Sequence, residues 1–358
     1  MQIALIYGGR STEHAVSVRS ARSVCTILQE RGHTIYPIAI AEDGRWFLQQ
    51  PPINADFDTV AAVQVKPGIG LFVKEQVLPI EVIFAPTHGQ GGEDGDLQGL
   101  CRLAHLPLVG CDTLASSVGM YKMVSQILAQ ERGVPTIPTL LVHANTPLTQ
   151  VLFTTSVDRF GGDLFIKAES SGSSVGVYGL KRANYSAFVE AITQARRYSE
   201  RVLIQPFFTQ RIEAECAILE RADGEILVAG PGRVIDPGAQ AVGFLDYQHK
   251  YQSQGGAYID LDWQIESSLA ERIRHYAKET FIAIKGSGYA RVDFFLTADG
   301  PLLNEINTAP GLTDQSHWPA LIQSLGYELG EAYEVLLATA IATHQKMMAL
   351  STVAPELL

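Results

Sequence analysis

The stretch ARVDFFLTADGPLLNEINTAPG, residues 290–311, alternates polar and apolar side chains on both sides of the turn-forming segment TADGP. Its polar members include Arg291, Asp293, Glu305 and Asn307. Residues i and i+2 of a strand face the same way and lie about 7 Å apart along it. Arg291 therefore shares a face with Asp293, and Glu305 shares one with Asn307. The pattern predicts two neighbouring strands that carry one charged face.

The register of this pair follows from the turn. If TADGP is a five-residue hairpin loop, Asp293 lies opposite Glu305 and Arg291 lies opposite Asn307. Two carboxylates directly opposed across a ladder repel each other, and a divalent cation would remove that repulsion. Carboxylate and amide oxygens suit Mg²⁺. The residues predict a magnesium site; the alternative is a solvated polar face on which Arg291 offsets the charge.

Composition limits the class of protein. A chain of 358 residues suggests two or three domains. Its hydrophobic content of 46% and its 32 glycines are typical of a soluble, loop-rich globular enzyme. The net charge of −11 argues against a general nucleic-acid or membrane-surface role, which needs clustered Lys and Arg.

The cysteines and the N-terminus indicate a cytoplasmic protein. The four cysteines, scattered without metal-type spacing, are expected to be buried thiols in a reducing compartment: Cys25, Cys101, Cys111 and Cys216. The first apolar run stops at a Gly-Gly pair and lacks a basic n-region, so it predicts a first strand and not a signal peptide. No apolar run approaches the roughly 20 residues that span a bilayer.

The N-terminal third shows the rhythm of an open parallel sheet. QIALIY predicts a buried strand, and a helix is expected from about Glu13 to Arg31, ended by Gly32. TIYPIAI and EVIFAP predict further strands. The glycine-rich loop THGQGGEDGDLQG then leaves the carboxyl end of a strand, where such sheets bind ligands.

Two more blocks complete the chain. From about Cys111 to Arg201, MYKMVSQILAQERG predicts a helix, and the strand LFIKA runs into the loop ESSGSSVGV. The third block holds RVLIQPF, EAECAIL, the polar stretch FLDYQHKYQSQGGAY, the hairpin and a closing helix from about Leu325 to Gln345. We expect frayed ends in the last dozen residues. The predicted units are residues 1–110, 111–201 and 202–345, followed by a tail at 346–358.

A magnesium site implies phosphate, so the chain must hold a phosphorylated ligand. Walker A, GxGxxG and the protein-kinase motif set are all missing, which weighs against a P-loop NTPase, an NAD enzyme and a protein kinase. The loop ESSGSSVGV could surround phosphate oxygens with N–H groups and hydroxyls, although an ordinary flexible turn fits it as well. Lys122 and Lys167 could supply positive charge, although each taken alone favours an ordinary surface lysine.

Taken in order, these pieces resemble the D-alanine:D-alanine ligases of the ATP-grasp superfamily over almost the full chain. The matching stretches are YGGRSTEHAVS, HGQGGEDGDLQG, FIKAESSGSSVGV, EAECAIL, DYQHKY, ARVDFF and LLNEINTAPGLTDQS. The resemblance implies an α/β protein with three domains, an N-terminal Rossmann-like open parallel sheet and α+β halves that grip ATP. It further implies a cytoplasmic homodimer that makes a peptidoglycan precursor for cell wall biogenesis, with ATP, two Mg²⁺ (or Mn²⁺) and D-alanine as its small-molecule ligands.

The resemblance assigns roles to the nucleotide side. Gln205, Phe207 and Phe208 would contact the adenine, and Glu213 would hold the ribose. The residues that would bind the phosphates are Lys122, Lys167, Ser174 and Lys250. The residues that would ligate the metal ions are Asp293, Glu305 and Asn307, in agreement with the strand argument.

It also assigns roles to the donor side. Glu13 would meet the ammonium group of the first D-alanine, and His88 would lie near its carboxylate. Ser173 and Tyr251 would join Glu13 in a hydrogen-bonded set that closes the DYQHKY loop over the site. Such closure excludes water from an acyl phosphate, which hydrolyses readily.

On the acceptor side, Arg291 and the backbone N–H of Gly311 would form the oxyanion hole, and Ser316 would hold the carboxylate of the second substrate. His317 departs from the family pattern and would lie beside the acceptor. Tyr251 matches members that form dipeptides, whereas D-lactate-using relatives carry histidine in this region, and His249 is close by. We expect an amine acceptor, D-alanine.

Besides His317, two departures and several alternatives stay open at this point. Gln205 replaces a common glutamate, and Leu245 replaces a common aromatic residue in the DYQHKY region. The alternatives are D-serine or D-lactate as acceptor, a different ATP-grasp carboxylate–amine ligase, a non-catalytic nucleotide-binding protein, and a phosphotransferase that stops after phosphoryl transfer.

Overall fold

The computed structural model describes residues 1–51, 53, 61–173, 175–237 and 257–352. Within these ranges the strands form three sheets of seven, four and five strands. The α/β class predicted from the sequence is confirmed. No helix in the described ranges is long and apolar enough to cross a membrane.

The seven-stranded sheet belongs to the N-terminal part of the chain. Its strands are β1 (Gln2–Gly8), β2 (Thr34–Ile40), β3 (Trp46–Leu48), β4 (Ala61–Lys66), β5 (Gly70–Val73), β6 (Gln76–Val77) and β7 (Val82–Phe84), in the order β6-β5-β4-β3-β2-β1-β7. Strand β1 pairs in parallel with β2 and β7, as the βαβ rhythm predicts. The strands from β3 to β6 extend the sheet as an antiparallel meander, which the sequence reading did not foresee.

The first helix confirms its sequence signals. Helix α1 (His14–Glu30) has Glu13 as its N-cap residue and Arg31 as its C-cap residue. Gly32 follows with φ of +83°, a conformation that glycine adopts without a side-chain clash. The helix start thus places the side chain of Glu13 directly after the carboxyl end of β1. Helix α2 (Asp96–Leu103) follows the glycine-rich loop.

The helix predicted around MYKMVSQILAQERG is confirmed as α4 (Lys122–Glu131), and a further helix that was not predicted, α3 (Thr113–Met120), precedes it. The two helices are separated at Tyr121, whose φ and ψ of −92° and 91° leave the helical region. The interruption makes Lys122 the first residue of α4.

The four-stranded sheet is antiparallel. Its strands are β8 (Leu140–Val142), β9 (Leu164–Ala168), β10 (Val177–Leu180) and β11 (Val202–Pro206), in the order β10-β9-β11-β8. Helices α5 (Gln150–Phe160) and α6 (Tyr185–Ala195) share a hydrophobic core with it. Strand β11 belongs to this sheet although it follows residue 201, where the sequence predicted a boundary between two domains. The division into domains stays a prediction.

The five-stranded sheet carries the hairpin. Its strands are β12 (Ile212–Glu220), β13 (Ile226–Ile235), β14 (Tyr258–Asp260), β15 (Tyr289–Thr297) and β16 (Gly300–Asn307), in the order β14-β13-β12-β15-β16. Three helices follow in this part of the chain: α7 (Ser267–Ala283), α8 (His317–Gln323) and α9 (Leu329–Met348). The closing helix therefore begins four residues later than predicted and takes in the start of the predicted tail.

The predicted hairpin register is confirmed, whereas the predicted loop is wrong. Asp293 pairs with Glu305, and Arg291 pairs with Asn307. Strand β15 continues to Thr297 and β16 starts at Gly300, so the connection has two residues. The register then shifts between Asp293 and Phe294, because Asn304 is an extra residue opposite them. This bulge compensates for the short loop and preserves the charged face.

One hydrophobic core joins the N-terminal and C-terminal parts. It combines residues of β1, α1, β12, α8 and α9. Tyr333 of α9 packs its ring edge-on against Phe84 at 5.4 Å, and Trp318 of α8 packs against Tyr289 at the same distance. All four cysteines are free and buried, as predicted.

Candidate active site

A cavity lies among the four-stranded sheet, the five-stranded sheet and α4. Its walls include Phe165 and Lys167 of β9, Lys122 of α4, and Glu213 of β12. The four polar residues of β15 and β16, here called the hairpin face, complete the wall: Arg291, Asp293, Glu305 and Asn307. The structure thus gathers Lys122, Lys167, Glu213 and the hairpin face, all singled out from the sequence, into one cavity.

Three carboxylates form a row across neighbouring strands. Glu215 of β12 lies opposite Asp293 of β15, which lies opposite Glu305 of β16. Removal from water raises the pKa of Asp293 to about 6, against the opposing effect of Arg291. Glu215 was missed in the sequence reading, although its position two residues after Glu213 on one strand face was the signal that could have found it.

Arg291 is held by two of these carboxylates. Its Nε and Nη2 donate to Asp293 Oδ1 and Oδ2 at 2.8 and 2.7 Å, and its Nε lies 3.1 Å from Glu215 Oε2. Burial opposes the charge, but the two carboxylates hold the pKa of Arg291 above its ordinary value. Asn307 donates from its amide to Asp293 Oδ2 at 3.1 Å. The hairpin face is therefore a connected polar network.

Two lysines approach the same face. Lys167 donates to Asn304 Oδ1 at 3.0 Å, and desolvation lowers the pKa of Lys167 to about 8. Lys122 donates to the Ser171 carbonyl at 2.8 Å, and its Nζ lies 3.3 Å from Glu305 Oε2. The bulge at Asn304 thus turns this residue toward Lys167, a contact that the sequence reading did not predict.

An arginine-centred group, here called the Arg211 cluster, consists of Arg211, Glu213, Phe207, Phe208 and Phe295, of which Arg211, Glu213 and Phe295 line the cavity. Arg211 contacts Glu213 Oε1 through Nε at 3.0 Å and through Nη2 at 2.6 Å. Its Nη1 donates to the Phe208 carbonyl at 2.8 Å, and its guanidinium lies 4.8 Å from the centre of the Phe295 ring. Both contacts of Arg211 with Glu213 use Oε1.

The other residue predicted to lie near the adenine is buried. Gln205 is 1% exposed and pairs across the sheet with Phe165, which lines the cavity. Its amide nitrogen donates to Thr139 Oγ1 at 2.8 Å. The ring of Phe207 packs against that of Phe165 at 5.8 Å. Gln205 therefore lies on the same sheet face as Phe165, with its amide oriented by Thr139.

The donor-side residues come from the N-terminal sheet and the Gly/Ser loop. Ser173 donates to Glu13 Oε1, joining two residues that the sequence reading placed together. Gly172 permits this approach, because a Cβ at that position would lie 2.7 Å from Glu13 Oε2. His88 is buried near Glu13, with its Nε2 3.3 Å from Ser20 Oγ, and desolvation lowers the pKa of His88.

Glu93 is a second acidic group at this end that the sequence reading did not single out. It lines the cavity, and the point where a Cβ on Gly172 would lie is 3.6 Å from Glu93 Oε1. Desolvation, reinforced by the charge of Glu13, raises the pKa of Glu93 to about 8. The motif HGQGGEDG carried the signal, since a carboxylate among glycines after a strand end is suited to a ligand site.

The acceptor-side residues lie after β16. Gly311 packs so closely on Ser316 that a Cβ would come within 2.6 Å of Ser316 Oγ. Ser316 Oγ accepts from the Thr313 amide at 3.1 Å and lies 2.8 Å from Thr313 Oγ1. His317 places Nδ1 2.8 Å from Glu215 Oε2 and Nε2 3.3 Å from the Ala257 carbonyl oxygen.

Several predicted residues lie outside the described ranges. They are Ser174, Leu245, His249, Lys250 and Tyr251. Their assignments stay predictions.

The predicted metal ligands were compared with the geometry. Over the described ranges, no group of three or more His, Cys, Asp or Glu side chains is arranged to hold a metal ion. The predicted set has two carboxylates and one amide: Arg291 and Asn307 both donate to Asp293, and Lys122 pairs with Glu305. The magnesium site therefore stays a prediction that rests on the chemistry of its oxygen donors.

Comparison with protein families covers most of the chain. A model described as "D-ala D-ala ligase N-terminus" matches residues 2–111, and one described as "D-ala D-ala ligase C-terminus" matches residues 128–338. The D-alanine–D-alanine ligase A of Mesorhizobium japonicum is 36% identical, covering 96% of this chain and 98% of that protein.

Solved structures agree with the sequence comparisons. The D-alanine-D-alanine ligase from Coxiella burnetii has a TM-score of 0.83 at 28% identity, covering 97% of both chains. The VanG D-Ala:D-Ser ligase from Enterococcus faecalis has a TM-score of 0.81 at 27% identity, covering 95% of this chain and 99% of that one.

Proposed function

Because this chain belongs to the D-alanine–D-alanine ligase family, we propose that it is an ADP-forming ligase that joins two D-alanine molecules into D-alanyl-D-alanine. The family resemblance inferred from the sequence motifs is confirmed. The observation that carries the proposed activity is the meeting of Lys122, Lys167 and the hairpin face in one cavity.

The reaction explains why such a cavity is needed. A carboxylate is a poor electrophile, so the first D-alanine takes the γ-phosphoryl group of ATP on a carboxylate oxygen and becomes an acyl phosphate. The amine of the second D-alanine attacks the carbonyl carbon, the C–N bond forms, the C–O bond to phosphate breaks, and the amine loses a proton. The site must therefore neutralise phosphate charge, stabilise an oxyanion and exclude water.

The residues assigned to ATP fall into three groups, which bind its phosphates, its ribose and its adenine. Lys122 and Lys167 bind the phosphates, because both ammonium groups already lie against the hairpin face. Glu213 accepts from a ribose hydroxyl through Oε2, since Arg211 occupies Oε1. The segment from Gln205 to Phe208 lies along the adenine. Ser174 and Lys250 are assigned to the phosphates by family resemblance alone.

Metal ions fit the hairpin face. Asp293, Glu305 and Asn307 offer the hard oxygen donors that Mg²⁺ prefers, and the raised pKa of Asp293 marks a carboxylate whose charge a cation would stabilise. In this proposal these three residues hold two Mg²⁺ or Mn²⁺ ions. When bound, the ions neutralise charge on the transferring phosphoryl group.

The donor and acceptor residues flank the phosphoryl path. Glu13, oriented by Ser173, holds the ammonium of the first D-alanine, and Tyr251 joins that set. Arg291 and the Gly311 amide stabilise the oxyanion, for which one donor is typically worth about 3 kcal/mol. His88 lies near the carboxylate of the first substrate.

The acceptor is proposed to be D-alanine. Ser316 holds its carboxylate, and the similarity to a D-Ala:D-Ser ligase makes D-serine the alternative acceptor to test. We further propose a cytoplasmic enzyme of peptidoglycan synthesis that works as a homodimer. Size-exclusion chromatography with light scattering tests the dimer.

The activity itself is tested with purified protein, Mg-ATP and D-alanine. We expect stoichiometric ADP, phosphate and D-alanyl-D-alanine, with the dipeptide identified by mass spectrometry. D-Serine and D-lactate are then supplied as acceptors between pH 6 and 9. A clear preference for D-lactate would overturn the amine acceptor, and phosphate release without an amide product would revive a phosphotransferase.

A further inference from the structure

A short ionic chain runs from α8 to the hairpin face. Glu215 Oε2 lies 2.8 Å from His317 Nδ1 and 3.1 Å from Arg291 Nε. The side chains of Glu215, His317 and Arg291 are 9%, 12% and 13% exposed. One carboxylate oxygen, largely removed from water, is therefore shared by an imidazole and a guanidinium.

The contacts of Arg291 leave one part of its guanidinium available. Asp293 and Glu215 both contact the Nε and Nη2 edge. Within the described ranges, Nη1 has no protein partner. Because the guanidinium is a rigid planar fork, fixing one edge also fixes the direction of Nη1. The two carboxylates therefore fix the direction in which Arg291 Nη1 can donate a hydrogen bond to a ligand.

The same two carboxylates also compete for Arg291 Nε, which lies 2.8 Å from Asp293 Oδ1 and 3.1 Å from Glu215 Oε2. If His317 did not donate to Glu215, the carboxylate of Glu215 would attract the guanidinium more strongly in this poorly hydrated place. A carboxylate only accepts, so His317 Nδ1 donates to it and offsets part of that attraction. His317 thereby favours the arrangement in which Arg291 stays on Asp293.

The second ring nitrogen of His317 is also directed at the protein. Nε2 lies 3.3 Å from the Ala257 carbonyl oxygen. Both nitrogens thus face acceptor atoms of the chain, and the ring orientation is fixed from two sides. His317 also lines the cavity, and its expected place beside the acceptor stays a prediction.

We propose that His317 is a positioning residue that acts through Glu215 to aim Arg291 at the reacting carbonyl, and that it does not select the acceptor. The inference rests on the proposed ligase function for its kinetic part. Its consequence is a loss in kcat when His317 is changed, with little change in the KM for the acceptor. An acceptor-selecting residue would have the opposite signature.

The test compares variants that differ in the donor at Nδ1. His317→Leu removes the donor, while His317→Asn keeps an amide nitrogen close to the Nδ1 position. We expect kcat to fall by about tenfold or more in His317→Leu, with acceptor KM within about twofold, and to recover largely in His317→Asn. His275→Leu, at an exposed position on α7, is the matched control and should leave both constants unchanged.

A double-mutant cycle with Arg291→Lys completes the test. If His317 acts through Arg291, the two losses in kcat are not additive, and the shifts of the thermal unfolding midpoint are not additive either. Additive losses, or a changed preference among D-alanine, D-serine and D-lactate at unchanged kcat, would overturn the proposal. A wild-type protein that forms no dipeptide refutes the ligase function, while the unfolding cycle still decides whether His317 and Arg291 are coupled.

Discussion

The hairpin face and the Arg211 cluster line the same cavity but are assembled in different ways. The four residues of the hairpin face are placed by one antiparallel ladder, and each lies opposite another member. The Arg211 cluster depends on a ladder between strands that are distant in sequence: Glu213 of β12 lies opposite Phe295 of β15, and the guanidinium of Arg211 lies against the Phe295 ring. A hairpin ladder joins neighbouring strands, so alternation in sequence predicts its shared face, whereas the pairing of distant strands does not follow from alternation alone.

This difference has a functional counterpart. The hairpin face concentrates charge where a phosphoryl group would react, so its loss should remove chemistry. The Arg211 cluster orients one oxygen of Glu213 beside aromatic rings, so its loss should weaken nucleotide binding and leave the chemistry intact. Substitutions in the two regions should therefore separate kcat from the KM for ATP.

The largest effect is expected from Glu305→Ala on the hairpin face. Loss of one proposed metal ligand should lower turnover by at least about a thousandfold, since metal ions contribute several kcal/mol of charge stabilisation. Turnover is measured as ADP formation over a series of Mg²⁺ concentrations. Asp299→Ala, exposed in the turn of the same hairpin, is the control and should be nearly neutral. Near-normal turnover at saturating Mg²⁺ would remove Glu305 from the metal site.

An intermediate effect is expected from Arg211→Ala. Without Arg211, Glu213 loses the partner that fixes Oε1, and the KM for ATP should rise about tenfold with kcat nearly unchanged. The preference of the enzyme for ATP over 2′-deoxy-ATP and 3′-deoxy-ATP should fall as the KM for ATP rises. Arg221→Ala breaks an exposed arginine–glutamate pair and is the matched control. A fall in kcat at unchanged KM for ATP would contradict the proposal that the Arg211 cluster serves nucleotide binding and the hairpin face serves the chemistry.

Most of the hairpin face was predictable because its geometry follows from period-two alternation. Asp293, Glu305 and their register needed only strand geometry, and the wrong loop length did no harm because the bulge at Asn304 compensated for it. Helix α1 was predictable because Glu13 and Gly32 lie at its two ends. Signals within one stretch of sequence were thus enough to predict features that lie on a single hairpin or a single helix.

The remaining features depend on contacts between elements. Whether Glu93 points to Glu13 or to solvent depends on the loop after β7, and the raised pKa of Glu93 is a property of the folded cavity alone. The position of His317 after Ser316 predicted a place beside the acceptor, and its contacts with Glu215 and Ala257 could not be predicted from that position. Sequence neighbours do not determine which way a side chain at a helix start is turned.

A smaller effect should follow from Asn304→Ala at the bulge. Lys167 then loses the acceptor on Asn304, and its pKa, already lowered to about 8, should fall further. A larger fraction of Lys167 becomes neutral as pH rises, so kcat/KM for ATP should fall about threefold near pH 7 and more at pH 8. Asn304→Asp restores an acceptor and is the comparison variant. An equal loss at pH 6.5 and pH 8 would disconnect Asn304 from the charge of Lys167.

The smallest effect is expected in stability, from Glu93→Gln beside the donor site. The pKa of Glu93 is about 8 in the folded protein against an ordinary value of 4.5, so the folded state holds a proton that the unfolded state releases. This difference costs stability progressively as pH rises from about 4.5 to about 8, and the cost is then constant. Glutamine removes the cost, so the unfolding midpoint of Glu93→Gln should exceed that of the wild type by a margin that grows over this window. Glu271→Gln, at an exposed position on α7, should show no such trend. Equal margins at pH 5 and pH 8.5 would mean that Glu93 is not the desolvated carboxyl group of this cavity.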